Sequence, residues 1–203
     1  MARIAVIGGT GYAGRHIVAE AVERGHTVVS VARSIPGERI PGATYVEGTL
    51  LDVPSLVAEL QGVDVVVVAV PARGDMSGLV RPAVAELLAA PPITPMRTVS
   101  GGPRVVDLPS FTEEYKPEAF EAIGILEDLE ATPASRDFFY VHPAGGFGMW
   151  NPGERTGTYR DGGDVVVTDD AGESFISGAD LAVAVVDEIE NPKPRRERFT
   201  VGY

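Results

Sequence analysis

Arg3-Ile4-Ala5-Val6-Ile7 is a short apolar run, and Gly8-Gly9-Thr10-Gly11-Tyr12-Ala13-Gly14 follows it at once. Ile17, Val18, Ala21 and Val22 then recur at helical spacing as far as Gly25. A second apolar run, Thr27-Val28-Val29-Ser30-Val31, stops at Ala32-Arg33-Ser34. The order is strand, glycine turn, helix, strand, the unit that holds a dinucleotide. Gly8 and Gly9 let the chain leave the strand in a turn that a Cβ would obstruct. Gly11 lets the backbone come close to a pyrophosphate, and Gly14 lets the helix pack on the strand. The backbone from Thr10 through Tyr12, Ala13 and Gly14 then offers free amides and the positive end of a helix dipole to the phosphates. A glycine cluster alone also makes ordinary turns. The weight here rests on context, because the motif follows a strand and opens a helix.

The end of the second strand carries the next signal. A site that prefers NAD places Asp or Glu about 20 residues past the glycines, on the ribose 2′-hydroxyl. No acid lies between Val28 and Gly37, and Arg33 stands there instead. A guanidinium attracts the 2′-phosphate of NADP, which a carboxylate would repel. NADP(H) is therefore expected in preference to NAD(H). A surface arginine that merely follows a strand is the plainer alternative.

The chain has 203 residues, 44% of them hydrophobic, enough for one sizeable core. A single NAD(P)-binding domain over 1–203 is expected, with about 150–203 forming a C-terminal cap on the substrate side. A formal net charge of −12 argues against nucleic acid and against an anionic membrane surface as partners. The chain lacks cysteine, which excludes disulfides, thiolate catalysis and cysteine-bound metals. Asp164, Asp169, Asp170 and Glu173 lack the spacing of a calcium loop, and no metal is expected. The first strand begins at residue 3, so no signal peptide is expected and the cytoplasm is the expected location. The longest apolar run, 63–71, contains Asp64 and is too short to span a bilayer.

Periodicity beyond the first unit predicts strands at 43–47, 63–69, 98–100 and 137–141 and helices at 54–60, 78–90 and 118–130. The alternation implies an α/β fold, a Rossmann-like doubly wound parallel sheet with helices on both faces. Ala69-Val70-Pro71, at the end of the fourth strand, falls at the edge where such sheets hold cofactor. Toward the C-terminus, short strands are expected at 156–159 and 164–168 around a turn at Asp161-Gly162-Gly163. Ser177-Gly178-Ala179-Asp180 resembles a capping box for a helix running to Glu190, and 198–201 reads as a closing strand. His16 and His26, in the first helix and the turn after it, are expected to be solvated.

From Val6 to Gly14, at Gly25-His26-Thr27-Val28 and at Arg33, the chain resembles the atypical short-chain dehydrogenase/reductase family. The likeness is to its small NAD(P)H-binding branch, described as NADH-flavin reductase-like, epimerase-like or biliverdin reductase B-like. Asn151-Pro152-Gly153-Glu154-Arg155-Thr156-Gly157-Thr158-Tyr159-Arg160 is similar to that branch's C-terminal signature, as are Ile176-Ser177, Asp180-Leu181-Ala182 and Asp187 to Pro192. The family commonly has Gly-Asp where this chain has Gly48-Thr49, while Leu51 and Asp52 still fit its cofactor-binding pattern. The 89–104 stretch is shorter and broken by prolines, and 142–150 is longer than in the family. Both border the substrate side in relatives, so the substrate and even the activity are expected to be free to differ.

Hydride transfer asks the protein to orient a nicotinamide and to manage one proton. Many short-chain dehydrogenases use Tyr-x-x-x-Lys for the proton, and that pair is absent: Tyr115 has Lys116 beside it and Ala119 four residues on. Ser100, Tyr115 and His142 are the candidate proton donors, each with a structural alternative as turn residue, surface aromatic or buried histidine. Phe138, Phe139 and Tyr140 read as core. Phe147 and Trp150, in a glycine-rich loop, are candidates to stack on a flat small-molecule substrate. The expected activity is an NADP(H)-dependent oxidoreductase for a flavin, quinone or other conjugated acceptor. A non-catalytic NADP-binding redox sensor and an epimerase- or isomerase-like enzyme stand as alternatives.

Overall fold

The computed structural model describes residues 1–90, 96–99, 111–193 and 196–203. The first unit forms as read. β1 (Arg3–Ile7) leads through the glycine turn into α1 (Tyr12–Glu23), and β2 (Thr27–Ala32) follows. Then come β3 (Ala43–Glu47), α2 (Val53–Glu59), β4 (Val65–Val68), α3 (Val80–Ala89) and β5 (Met96–Val99). The chain continues with α4 (Lys116–Glu130), β6 (Phe139–Pro143), β7 (Arg160–Gly163), α5 (Gly178–Glu190) and β8 (Glu197–Gly202). Single 3₁₀ turns stand at Gly74–Met76 and Glu113–Tyr115.

The strands form one eight-stranded sheet in the order β3-β2-β1-β4-β5-β6-β8-β7. All pairs are parallel except β7 with β8. Ile4 and Val6 of β1, with Val65 and Val67 of β4, face α1 and α5; Ala5, Ile7, Val66 and Val68 face α2, α3 and α4. Burial on both faces is why these strands read as continuous β-branched runs rather than alternating ones. Phe138, Phe139 and Tyr140 are core residues, as read from the sequence.

Local signals set the helix ends. Asp52 caps α2 by accepting from the Ser55 amide at 3.2 Å. Ser177 caps α5, accepting from the Asp180 amide at 3.0 Å. Glu121 of α4 accepts from the Gly78 and Arg81 amides at 2.6 and 2.8 Å, satisfying the α3 N-terminus that lacks a cap of its own. Arg81 in turn grips Asp128 of α4 with two bonds of 2.8 Å.

Two readings are corrected. The strand in the tail is Arg160–Gly163, the stretch expected to turn, while 156–159 and 164–168 are not strands. Pairing with β8 fixes it: Gly162 sits where a Cβ would crowd Thr200 Oγ1 at 2.6 Å, and Val165 closes a turn onto the Gly162 carbonyl. His26 is buried, not solvated. Its Nδ1 accepts from the Ala2 amide at 3.1 Å, and its Nε2 lies 3.0 Å from Glu190 Oε1 of α5. His16 is half-buried with its ring edge-on to Tyr12, and burial together with the Arg15 charge holds its pKa below the ordinary value.

Candidate cofactor-binding site

The strand order reverses at β1, with β2 to one side and β4 to the other, so a crevice opens at the carboxyl ends of these strands. A cleft of about 270 Å³ lies there, between the glycine turn, the end of β2 and the segment after β4. Gly8 is held at φ +83°, and a Cβ on it would come within 2.7 Å of the Ala69 carbonyl oxygen. A Cβ on Gly14 would overlap the Gly8 carbonyl oxygen. These two glycines bring helix, turn and neighbouring strand close together. Gly11 is the N-cap of α1 with extended backbone, and it carries no capping side chain.

This arrangement fits a dinucleotide. The first turn of α1 offers amides that no side chain caps, no acid stands in that turn to repel phosphate, and the space beside Gly11 is open save for one contact to Gly8.

Of the residues read as cofactor-binding, Gly8, Thr10, Gly11, Arg33, Ala69, Val70 and Pro71 line the cleft. Tyr12, Ala13 and Gly14 form the helix start beside it. Leu51 and Asp52 do not line it: Leu51 is exposed, and the Asp52 carboxylate caps α2, while Gly48, Thr49 and Leu50 supply that wall. Sequence reasoning missed Arg73, Asp75 and Met76, on the loop that follows β4. The available signal was their position just past Pro71, at the carboxyl edge of a central strand. Arg33 pairs with Asp75 across the cleft.

The 147–152 stretch folds back onto the same edge. The Phe147 ring packs against Tyr12 at 5.3 Å between centroids, and the Tyr12 hydroxyl donates to the Pro152 carbonyl at 3.2 Å. Met149 and Trp150 project outward, Trp150 with 74% of its surface exposed. Arg155 anchors the next stretch to buried Glu20 of α1 at 2.9 Å.

Two of the three proton-donor candidates fall within the described residues. Ser100 lies outside the described residues. Tyr115 is exposed in the 3₁₀ turn before α4. His142 is buried in β6, its ring 4.7 Å from that of Tyr140. Glu118, which the sequence did not single out, is half-buried at the start of α4. Burial pushes its carboxyl up from the ordinary value, opposed by Arg73, and Glu121 adds to the rise.

Residues 8–97 match the NAD(P)H-binding family. The chain is 34% identical to the uncharacterized protein YwnB of Bacillus subtilis, over 98% of its own length and 97% of YwnB. The chain belongs to the NAD(P)H-binding family. A solved structure from Streptococcus pneumoniae, whose name is NADH-flavin reductase by assignment, superposes on this family member with a TM-score of 0.83 and 30% identity, over 100% of this chain and 99% of that one. A structure from Bacteroides thetaiotaomicron, assigned as an epimerase, gives a TM-score of 0.87 and 28% identity over 100% and 97%. The resemblance read from the sequence therefore holds at the level of an oxidoreductase-like NAD(P)H-binding family with a Rossmann-type fold. Among the described residues, no helix is long and apolar enough to cross a membrane.

Proposed function

We infer that the chain is an NADP(H)-dependent oxidoreductase for a flavin, quinone or other small conjugated acceptor, with the stretch after β6 as its substrate-side cap. The observation that carries this reading is the contact of Phe147 with Tyr12, which sets an aromatic wall directly beside the uncapped start of α1. Trp150, exposed on the same loop, offers a second flat surface on which a conjugated ring stacks. A bound nicotinamide supplies the hydride. The α1 amides hold the phosphates, Arg33 attracts a 2′-phosphate, and Phe147 and Trp150 orient the acceptor. The name of the Streptococcus structure agrees with this acceptor class. The test is NADPH consumption across a panel of flavins and quinones.

The missing tyrosine–lysine pair shapes the expected variants. A general acid contributes typically ~10²–10⁴-fold, whereas positioning alone retains much of a hydride-transfer rate. Ser100→Ala, Tyr115→Phe, His142→Ala and Glu118→Gln are each expected to lower turnover by less than about 10-fold. A collapse of three orders at one position identifies a true proton donor and refutes a positioning enzyme. The same missing pair favours a second reading, a non-catalytic NADP-binding sensor. Tight cofactor binding with no turnover on any acceptor supports that reading.

Cofactor choice follows from Arg33. NADPH is expected to bind more tightly than NADH, and Arg33→Ala is expected to remove most of the difference. A charge-assisted hydrogen bond is worth about 1.5–3 kcal/mol, and the lower end applies because the Arg33 side chain is 63% exposed. Equal affinities in the wild type, measured by calorimetric titration, refute the assignment.

A further inference from the structure

A crevice of this kind selects NAD with a carboxylate near the end of the second strand and NADP with a cation there. This chain brings both to one place. Arg33 follows directly on β2, and Asp75 reaches it from the 3₁₀ turn after β4, so that the two side chains pair across the cleft they both line. The geometry points to Asp75 as a specificity-setting residue whose carboxylate holds, on the Arg33 guanidinium, the place that a 2′-phosphate takes. This inference rests on the reading of the cleft as a dinucleotide site.

The physical consequence is a graded preference. NADP(H) must displace Asp75 from Arg33 before its phosphate is paired, so the lost ion pair offsets part of what the phosphate gains there. NAD(H) has no phosphate to place there. Its ribose hydroxyl leaves the Arg33–Asp75 pair intact and finds in Asp75 the carboxylate acceptor that β2 itself lacks. The pair is built to be broken. Its side chains are 63% and 69% exposed, and ion pairs this open to water are weak and screened by salt. Met76, the next residue, is buried in the core and fixes the turn, so Asp75 stays near the cleft whichever partner Arg33 takes.

Asp75→Asn keeps the shape of the side chain and removes its charge. Calorimetric titration of NADPH and NADH into wild type, Asp75→Asn, Arg33→Ala and the double variant tests the inference. Asp75→Asn is expected to tighten NADPH binding about 5-fold at low salt, the ceiling set by an exposed pair, and to leave NADH unchanged or weaker. In the Arg33→Ala background the same substitution is expected to have at most a small effect on NADPH, because no guanidinium is left to compete for. An unchanged NADPH:NADH ratio in a cofactor-binding Asp75→Asn protein overturns the inference alone. A full 5-fold gain that persists without Arg33 overturns it too, since the carboxylate then acts on the phosphate directly. If folded wild type binds neither dinucleotide, the reading of the cleft falls and the inference falls with it.

Discussion

Gly11→Val is expected to abolish dinucleotide binding, raising the dissociation constant by at least about 100-fold, equivalent to roughly 2.7 kcal/mol, while the chain stays folded. Gly11 has φ −72° and ψ 174°, backbone that a valine adopts without strain. A Cβ there meets only the Gly8 carbonyl oxygen, at 3.2 Å, and is otherwise in open space. Valine is a poor N-cap, but replacing a glycine there costs on the order of 1 kcal/mol, a fall in melting temperature of about 2–4 °C for a chain of this size. The space the valine fills is the space the phosphates need, and the amides of Tyr12 to Gly14 lie behind it. Gly14→Ala is the contrasting control. Its new Cβ overlaps the Gly8 carbonyl and sits 2.8 Å from Gly9 Cα, backbone atoms that cannot swing aside. That variant is expected to lose stability by about 1–3 kcal/mol or more, with cofactor binding lost as a consequence. Calorimetry beside thermal unfolding separates the two. A folded Gly11→Val protein with wild-type affinity places the phosphates elsewhere.

The first unit was legible because its rules are local. Glycine positions, a 3.6-residue period and two β-branched runs within 34 residues decide β1, α1 and β2, and the observed bounds agree within a residue or two. Central strands were legible for the same reason, since burial on both faces leaves an uninterrupted apolar run. Reading failed where the deciding partner is distant in sequence. His26 looks like a turn residue until Glu190, 164 positions later, closes over it. The 160–163 strand exists because β8 lies beside it, and its Gly162-Gly163 composition signals a turn to any local rule. The cofactor site divides along the same line. The glycine turn and Arg33 are written in the first 34 residues, and the Asp52 cap of α2 is a local signal too, but nothing local says that Asp75, 42 positions on, reaches back to Arg33.

Asp180 carries the other large expected effect, and it lies where the C-terminal stretch is tied to the fold. Its carboxylate is fully buried. It accepts from the Thr156 amide at 2.9 Å, the Thr156 hydroxyl at 2.8 Å, the Gly157 amide at 2.8 Å and the Ser177 hydroxyl at 3.2 Å, and also from the Tyr203 hydroxyl. One side chain thereby joins the α5 N-terminus, the 156–157 turn and the last residue of the sequence. Burial pushes this carboxyl up, but the donated hydrogen bonds, from Tyr203, Thr156 and Gly157, outweigh burial and hold it below the ordinary carboxylate value. Asp180→Ala leaves those donors without an acceptor in a buried place, and a loss of about 3–5 kcal/mol is expected, on the order of 10 °C in melting temperature. Tyr203→Phe removes one donor and is expected to cost only about 1 kcal/mol. The pH dependence has a definite sign. A carboxyl whose folded pKa is depressed contributes fully above its unfolded value, about 3.9, and loses that contribution as pH falls through the lower folded value. The stability gap between wild type and Asp180→Ala is therefore expected to be constant from neutral pH down to about 5 and to narrow below about 4. Chemical denaturation at a series of pH values reads this gap directly. A gap under 1 kcal/mol at pH 7, or one that widens on acidification, means that the C-terminal stretch is held by the Arg155–Glu20 ion pair and the β7–β8 pairing rather than by this carboxylate.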